Sequence, residues 1–335
     1  MDAWIEQHAA AIAARFEREL DPLVGVSSPS GDVRGAEEAA AVVAALAPDA
    51  AAVERLPCSS PEHAPDLVLR LRGDAPGGAR ILLLGHLDTV VAHADHHPLR
   101  RAGDRLHGSG AIDMKGGDVL ALGVLRALAT RRAELAEAAL LLVVDEEWRV
   151  GPFAHVDRFA GWDACLCFEA GQLDDGGGGH DAVVVRRKAA GTVRVVAHGR
   201  SAHSGSAPDK GANALLGLAE AARAVAASHD PGGEDGLTAV PTVLRAGDAF
   251  NVVPGSGELV CDVRADRLEA FDRVLDAVPG EVDGVRLERH LVREWPGMDS
   301  RAATAPLLQR GAGLIGRPIA AAARGGASDA SHFAA

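Results

Sequence analysis

Apolar and polar residues follow two alternating patterns along the first half of the chain. Three segments space their apolar and charged residues as helices do: residues 2–20, 35–47 and 116–132. Four segments are mostly apolar runs that predict buried strands: residues 67–73, 79–90, 133–147 and 163–171. Strands that alternate with helices are typical of an α/β domain with a mostly parallel sheet covered on both faces. In such sheets, ligands bind beyond the carboxyl ends of the strands.

The pattern changes after the glycine-rich segment DDGGGGHD (residues 174–181), which predicts a turn or a flexible connection. Residues 182–199 alternate apolar and polar side chains, as a half-exposed antiparallel strand does. A helix, two strands, a helix and a strand follow: residues 211–228, 237–247, 256–265, 268–279 and 285–294. This order predicts an α+β domain of the split βαβ, ferredoxin-like type.

The change of pattern divides the chain into two domains. With 335 residues, the chain exceeds the usual size of a single core. We place an inserted domain at residues 186–296 and assign residues 1–185 and 297–335 to the first domain. Residues 305–316 and 317–326 are then expected to return to the first sheet.

Composition narrows the classes of protein that fit this chain. Apolar residues make up 47% of it and aromatic residues only 3%, with no Tyr, so an aliphatic core is expected. The net charge of −13, with no basic run, argues against a nucleic-acid partner. No apolar run approaches the roughly 18 residues that predict a membrane span, so no membrane association is expected.

The compartment is predicted from the N-terminus and the cysteines. The first 20 residues lack the basic start and apolar block of a signal peptide. The cysteines form no CxxC pair and are expected to be buried thiols in a reducing compartment: Cys58, Cys165, Cys167 and Cys261. Both features predict a cytoplasmic protein.

Acidic and imidazole side chains lie toward the carboxyl ends of the predicted strands of the first domain or precede its third helix: His86, Asp88, Asp113, Glu146, Glu147 and Glu169. Each residue alone has an ordinary structural explanation, such as a helix N-cap for Asp113. Together, each at a strand end or a helix start, they predict a metal site. Neutral imidazole and carboxylate oxygens suit zinc, or cobalt and manganese, and a carboxylate can bridge two metals.

These motifs resemble those of the dinuclear zinc exopeptidases and deacylases, a family that includes glutamate carboxypeptidase, succinyl-diaminopimelate desuccinylase, acetylornithine deacetylase and aminoacylase. The resemblance is carried by GHLDTV, GSGAIDMKGG, VVDEEW and CFEAG, and in the insertion by GRSAHSGSAPDKGANAL and NVVPGSGELVCDVRA. It spans nearly the whole chain and is strongest toward glutamate carboxypeptidase. It implies two zinc ions and a homodimer formed through residues 186–296.

The resemblance implies a role for each candidate metal ligand. His86 and Glu169 would hold one zinc ion, Glu147 would hold the other, and Asp113 would bridge the two. Asp88 would hydrogen-bond the His86 imidazole and orient it.

Glu146 is the residue that the resemblance assigns to proton transfer. It would be the general base that takes a proton from zinc-activated water, which then attacks an amide carbonyl. The implied function is a metal-dependent hydrolase that cleaves an amide bond next to a free carboxylate. Such an enzyme is a carboxypeptidase or an N-acyl-amino-acid deacylase, and its substrates are small peptides or N-acyl amino acids.

In the inserted domain, the resemblance implies three further site residues. His203 would reach into the active site of the partner subunit and stabilise the oxyanion, while Asn251 and Arg264 would hold the substrate carboxylate. An arginine binds a carboxylate through two parallel hydrogen bonds. Two alternatives stay open: His203 as an ordinary loop residue, and Arg264 as a member of a surface ion pair.

The end of the chain departs from the family's pattern. The family's last zinc ligand is a His in a glycine-rich loop beyond the stretch that GGASDA (residues 325–330) resembles, whereas this chain ends at Ala335. We therefore expect a truncated first domain, in which the zinc held by Asp113 and Glu147 lacks one ligand. His332 is a candidate replacement, but SDASHFAA resembles a stretch that family members have in addition to that ligand.

The departure keeps a non-catalytic alternative open: a truncated relative that binds a carboxylated small molecule or only dimerises. The presence of both Glu146 and Asp88 favours the hydrolase. A serine hydrolase is disfavoured, because the chain has no GxSxG motif. A dinucleotide-binding protein is disfavoured as well, because GSGAID lacks the third glycine of that loop.

Overall fold

The computed structural model describes residues 2–173 and 181–334, and the chain folds into two compact units. The first unit contains Met1–Val185, Ser300–Ala322 and Ser328–Ala335, and the second contains Arg186–Asp299 and Ala323–Ala327. Of the predicted connection at 174–181, only Asp181 lies within the described residues. Within these ranges, no helix has both the length and the apolar composition needed to cross a bilayer.

Most elements of the first unit coincide with predicted segments. In chain order they are α1 (Ala3–Gly25), α2 (Val33–Ala45), β1 (Ala51–Leu56), β2 (Asp66–Arg72), β3 (Ala79–His86), β4 (Arg100–Ala102), β5 (Arg105–His107), α3 (Gly116–Leu128), β6 (Leu135–Val143), α4 (Val156–Phe159), β7 (Ala164–Cys167) and β8 (Gln172–Leu173). Helix α1 begins where the Asp2 carboxylate accepts the backbone N–H groups of Trp4 and Ile5. The sequence pattern does not predict β1, because this strand has no fully buried position and begins with two alanines, which have low strand propensity.

The first unit is built on a five-stranded sheet with the strand order β1-β2-β6-β3-β7. Strand β3 pairs in parallel with β6 and β7, whereas the β1–β2 and β2–β6 pairs are antiparallel. The α/β class is therefore confirmed, but the sheet is mixed rather than mostly parallel. Residues 73–78 join β2 to β3 and are too few for the crossover of about a dozen residues that parallel strands need, so these two strands run in opposite directions.

Both faces of the central strands are buried. Along β3, Leu83 packs into the cluster formed with α1, α2 and α3, whereas Leu82 and Leu84 pack into the cluster that contains Phe153 and Phe159. Successive side chains of a strand point to opposite faces, so a strand covered on both sides is apolar at every position. This explains the continuous apolar runs of β3 and β6.

The second unit has the predicted order of strands and helices. After β9 (Asp181–Arg187), its elements are β10 (Ala189–His198), β11 (Ala202–His203), α5 (Ala214–Ala227), β12 (Thr238–Ala246), β13 (Val252–Val253), β14 (Ser256–Ala265), α6 (Ala270–Ala277), β15 (Glu281–Val282), β16 (Val285–Trp295) and β17 (Met298–Asp299). The strands β12-β14-β10-β16-β15 form an antiparallel sheet. Leu218 of α5 and Phe271 of α6 share one core with its inward-facing residues, which confirms the α+β fold.

The chain after the second unit does not rejoin the first five-stranded sheet, contrary to expectation. Helix α7 (Arg301–Ile315) is followed by β18 (Ile319–Arg324), which pairs with β9 in a separate small sheet. Strand β18 consists mainly of alanine and its side chains are only half-buried. It therefore lacks the large apolar side chains that a strand covered on both faces requires.

Candidate active site

The ends of three adjacent strands meet at one edge of the first sheet. Strand β3 lies between β6 and β7, runs parallel to both, and pairs His86 with Val143 at its carboxyl end. The residues that follow these strands therefore emerge together: Asp88 after β3, Glu146 and Glu147 after β6, and Glu169 after β7.

Asp113 reaches this edge because helix α3 begins against the end of β7. Asp113 lies at a kink in the segment Ala111–Lys115 that precedes α3, where its backbone is not helical. A Cβ added at Gly117 would lie 1.9 Å from the carbonyl oxygen of Phe168, so only glycine allows the helix start to pack this closely. The close approach brings the start of α3 to the residue that precedes Glu169.

Three of the predicted ligands form one group: His86, Asp113 and Glu169. One ligand atom from each lies within 4.8 Å of the others, and within residues 2–173 and 181–334 no other group of three or more His, Cys, Asp or Glu ligand atoms is this close. The distance between His86 Nε2 and Asp113 Oδ1 is 3.1 Å. His86 is buried and Asp113 is exposed, so the group opens toward solvent. One imidazole and two carboxylates are a donor set that zinc accepts.

The His86 imidazole contacts Asp88, the residue expected to orient it. His86 Nδ1 lies 3.0 Å from the backbone carbonyl oxygen of Asp88 and 3.4 Å from its Oδ1. A proton on Nδ1 donated to Asp88 leaves Nε2 available to a metal ion. Burial lowers the pKa of His86, but Asp113, Asp88 and Glu146 raise it more, and the net pKa lies well above its ordinary value. Acidic surroundings that hold a proton in this way also favour a metal cation.

The Asp88 carboxylate also accepts two backbone hydrogen bonds that the sequence does not predict. Its Oδ1 accepts the backbone N–H of Glu146 at 3.1 Å, and its Oδ2 accepts that of Glu147 at 3.0 Å. Asp88 thus connects the loop after β3 to the turn after β6. The His86 imidazole and the backbones of the two glutamates all contact the buried Asp88.

The three consecutive acids after β6 have different surroundings. Asp145 is fully buried and turns away from the predicted ligands: its Oδ2 accepts hydrogen bonds from the Ser60 N–H (2.9 Å) and hydroxyl (2.7 Å), and its Oδ1 pairs with Arg149 at 3.0 Å. The cation that neutralises Asp145 is therefore a guanidinium. Only Glu146 and Glu147 remain for the site.

Crowded carboxylates make this edge a strong site for positive charge. Burial raises the pKa of Glu146 well above its ordinary value; the charge of His86 opposes this shift, while Asp329, Glu169 and Asp88 add to it. Burial is also the main cause that raises the pKa of Glu147 to about 7. Like charges that cannot all be ionised need shared protons or a cation.

The remaining predicted residues lie in the second unit. His203 is exposed on β11, and its Nδ1 accepts the N–H groups of Gly205 and Ser206. The backbone carbonyl of Asn251 accepts the Ser204 N–H at 3.0 Å, so the segments that carry His203 and Asn251 are adjacent. Their roles stay predictions.

Arg264 lies on β14 of the second unit and has a partner within the chain. Its Nε is 3.1 Å from both carboxylate oxygens of Asp262, and its NH2 is 2.9 Å from Oδ1. Arg264 therefore forms an ion pair within the chain, as the second alternative expects. A substrate carboxylate would have to compete with Asp262.

His332 lies in an aromatic cluster and is not part of the metal-ligand group. Its ring stacks on Phe153 at 4.9 Å between centroids, and Phe153 also contacts Phe333 edge-on. Burial lowers the pKa of His332 below its ordinary value. Among the described residues, its Nε2 has no hydrogen-bond partner.

Sequence reasoning misses three residues that support the site: Ser60, Arg149 and Asp329. Arg149 follows Asp145 by four positions, a spacing that suggests a pair only on a helix, whereas this segment is a turn. Ser60 and Asp329 lie 85 and 180 positions from their partners, and no local pattern connects them.

Comparisons with known proteins relate the chain to peptidases and deacylases. Residues 185–285 match the family model described as a peptidase dimerisation domain. Carboxypeptidase G2 of Pseudomonas sp. is 27% identical over 77% of this chain and 61% of its own length. Succinyl-diaminopimelate desuccinylase of Methylorubrum extorquens is 30% identical over 68% of this chain and 64% of its own length. The chain thus spans less than two thirds of the length of these curated relatives.

Solved structures share the fold. Aminopeptidase PepT from Bacillus cereus superposes with a TM-score of 0.72 at 19% identity, over 96% of this chain and 87% of its own. Human carnosine dipeptidase 1 superposes with a TM-score of 0.62 at 14% identity, over 95% of this chain and 92% of its own. At these identities the likeness concerns the fold alone.

Proposed function

We propose that this chain is a metal-dependent amide hydrolase, on the premise that it belongs to the zinc exopeptidase and deacylase family of carboxypeptidase G2 and succinyl-diaminopimelate desuccinylase. The observation that carries the proposal is the group of His86, Asp113 and Glu169 with the half-buried Glu146 in the same acidic region. A metal site alone suits a binding protein as well as an enzyme. A half-buried glutamate with a raised pKa in the same acidic region adds the proton acceptor that hydrolysis needs.

The oxygen and nitrogen donors of the first unit suit zinc, and we place two ions there, the second with only two of the assigned ligands. His86, Asp113 and Glu169 would hold the first ion, and Asp113 and Glu147 would hold the second. Bound zinc supplies Lewis-acid chemistry, polarising an amide carbonyl and making water more acidic. Cobalt or manganese suits the same oxygen and nitrogen donors.

Glu146 would carry the proton through the reaction. Its carboxylate would accept a proton from the attacking water, and its raised pKa would then let it return that proton to the leaving amine. The Asp88 carboxylate would keep the Glu146 backbone in place, since it accepts the Glu146 N–H.

The proposed substrate is a small peptide or an N-acyl amino acid with a free carboxylate beside the scissile amide. Asn251 and Arg264 would hold this carboxylate, with Arg264 exchanging Asp262 for the substrate. The names of the two curated relatives, a carboxypeptidase and a desuccinylase, support this class.

A homodimer formed through the inserted domain, residues 186–296, is part of the proposal. The match of residues 185–285 to a peptidase dimerisation domain supports it. In such a dimer, His203 would complete the site of the partner subunit. Cytoplasmic localisation is proposed as well, supported by four cysteines that are all free thiols in the described residues.

The first test counts bound zinc. Protein reconstituted with zinc and freed of excess metal is expected to hold two zinc ions per chain, measured by mass spectrometry of the metal against protein concentration. His86→Ala is expected to lose the first ion and Glu147→Ala the second. A chain that binds no zinc would refute the proposed metal centre.

The second test measures hydrolysis with the same preparation. N-acyl amino acids and dipeptides are offered as free acids, with the C-terminal amides of the same compounds as matched controls. Faster hydrolysis of the free acids is expected, because the proposed site binds the carboxylate. Zinc binding without hydrolysis of any compound would instead favour the non-catalytic carboxylate-binding alternative.

His203→Ala is expected to lower kcat by about 10²-fold, the usual loss when one oxyanion donor is removed. Bound zinc should stay the same, because His203 lies in the second unit and the ligand group in the first. Steady-state kinetics and metal content on one preparation check this, with the exposed His290→Ala as the matched control. An unchanged kcat would mean that His203 is an ordinary loop residue.

A further inference from the structure

A buried guanidinium joins the turn after β6 to the distant segment that carries Asp329. Arg149 NH1 lies 2.5 Å from Asp329 Oδ1, and NH2 lies 2.6 Å from Asp329 Oδ2, which is a bidentate pair. The same guanidinium donates to Asp145 Oδ1 from Nε at 3.1 Å and from NH2 at 3.0 Å. All three residues are at most 4% exposed.

Ser60 extends this network to the backbone of the turn. The Ser60 hydroxyl donates to Asp145 and accepts the backbone N–H of Val150 at 3.0 Å. The turn after β6 is thus tied to the loop after β1 at both of its ends. From the other side, the Asp88 carboxylate accepts the N–H groups of Glu146 and Glu147.

The segment that carries Asp329 is itself fixed against the end of β7. Ser328 is fully buried, and its hydroxyl lies 3.5 Å from Cys167 Sγ at the end of that strand. Phe333 packs edge-on against Phe153 and Phe159. The segment that carries Asp329 is therefore packed against the first unit.

Charge counting shows that Asp329 is not needed to neutralise Arg149. Asp145 and Arg149 already form one ion pair, and Asp329 brings a second buried carboxylate to the same guanidinium. Burying an extra charge costs free energy unless its hydrogen bonds compensate. A second carboxylate that holds the guanidinium in a fork fixes the direction of the Arg149 side chain, which a single carboxylate does not do as strictly.

We propose that Arg149 and Asp329 are positioning residues, which hold the turn that carries Glu146 and Glu147 in the geometry required for hydrolysis. The proposal rests on the proposed function only for the chemistry of those two glutamates. Asp329 fixes Arg149, Arg149 and Ser60 fix Asp145, and Asp145 begins the turn. In this scheme both residues act through the turn, and neither is assigned to the substrate or to the metal ions.

The test uses Asp329→Asn, which keeps the shape of the side chain and removes one buried charge, and Asp329→Ala, which removes both oxygens. Asp74→Asn is the matched control, since Asp74 pairs with Arg132 on the surface. Hydrogen–deuterium exchange of the full chain, without zinc, follows the amides of residues 145–150. Exchange there is expected to accelerate about tenfold or more in both Asp329 variants, while β3 and β6 stay protected.

Kinetics of the zinc-loaded enzyme give the second readout. A misplacement of about 1 Å costs roughly 10²-fold in rate, so kcat is expected to fall between about tenfold and 10²-fold, with KM within about threefold. Bound zinc is measured for each variant, and kcat is expressed per zinc-loaded chain. Arg149→Lys keeps the positive charge but cannot bind a carboxylate through two parallel hydrogen bonds. It should likewise lower kcat while KM stays within about threefold.

The outcomes separate this proposal from the proposed function. Unchanged exchange at residues 145–150 in Asp329→Asn overturns the proposal, as does exchange that rises uniformly over the first unit, which marks a general structural role. Should Asp329→Ala fail to fold, Asp329→Asn decides. Local acceleration in a chain whose wild-type form hydrolyses nothing supports the positioning of the turn and refutes the hydrolase instead.

Discussion

Glu146→Gln is expected to lower kcat by about 10²- to 10⁴-fold, the range that general acid–base catalysis contributes. The glutamine keeps the size and hydrogen-bonding shape of Glu146 but cannot accept a proton from water. Bound zinc should be unchanged, because the ligand group is His86, Asp113 and Glu169. Steady-state kinetics and metal content are measured on the same preparation.

The control for Glu146→Gln is the neighbouring Glu147→Gln. That variant is expected to lose zinc as well as activity, because Glu147 is proposed to be a ligand. Turnover that survives in Glu146→Gln would assign the base to another residue. Loss of zinc in Glu146→Gln would make Glu146 a ligand rather than a base.

Arg149→Met is expected to lower the free energy of unfolding by about 3–5 kcal/mol, the usual cost of removing one partner of a buried ion pair. The substitution leaves the carboxylates of Asp145 and Asp329 buried without their cation. Denaturant unfolding of the zinc-free protein, followed by fluorescence, gives the change without a contribution from metal binding.

Two further variants make the Arg149 result specific. Arg132→Met removes the arginine of an exposed pair with Asp74 and should cost no more than about 1 kcal/mol. Adding Asp145→Asn and Asp329→Asn to Arg149→Met removes the uncompensated charges and should restore most of the lost stability. A loss below about 1 kcal/mol in Arg149→Met would contradict the buried network.

The fold class and most elements could be predicted from the sequence because burial imposes local patterns. Strand β3 is apolar at successive positions because both of its faces are covered, and β10 alternates because one face is. The half-exposed, alanine-rich strands β1 and β18 carry weaker signals, so β1 is missed and the pairing of β18 is wrongly expected. Strand direction depends on connection lengths rather than on patterns within strands, so a mixed sheet replaces the expected mostly parallel one.

The candidate site, like the fold, could be predicted only in part from the sequence. His86, Asp113 and Glu169 could be singled out because each lies at a strand end or precedes a helix, and the structure brings them together. The roles of Glu146, His203, Asn251 and Arg264 remain predictions that the experiments above address.

The sequence by itself determined which segments are buried and which acids stand at strand ends, because both are properties of consecutive residues. Only the tertiary structure decided that Asp145 turns inward to Arg149 while its two neighbours stay with the ligand group. It alone joined Ser60 and Asp329 to that turn, across 85 and 180 positions. Hydrogen bonds and ion pairs depend on distances in space, which local patterns do not encode, so the residues that hold the site appear only when the chain is folded.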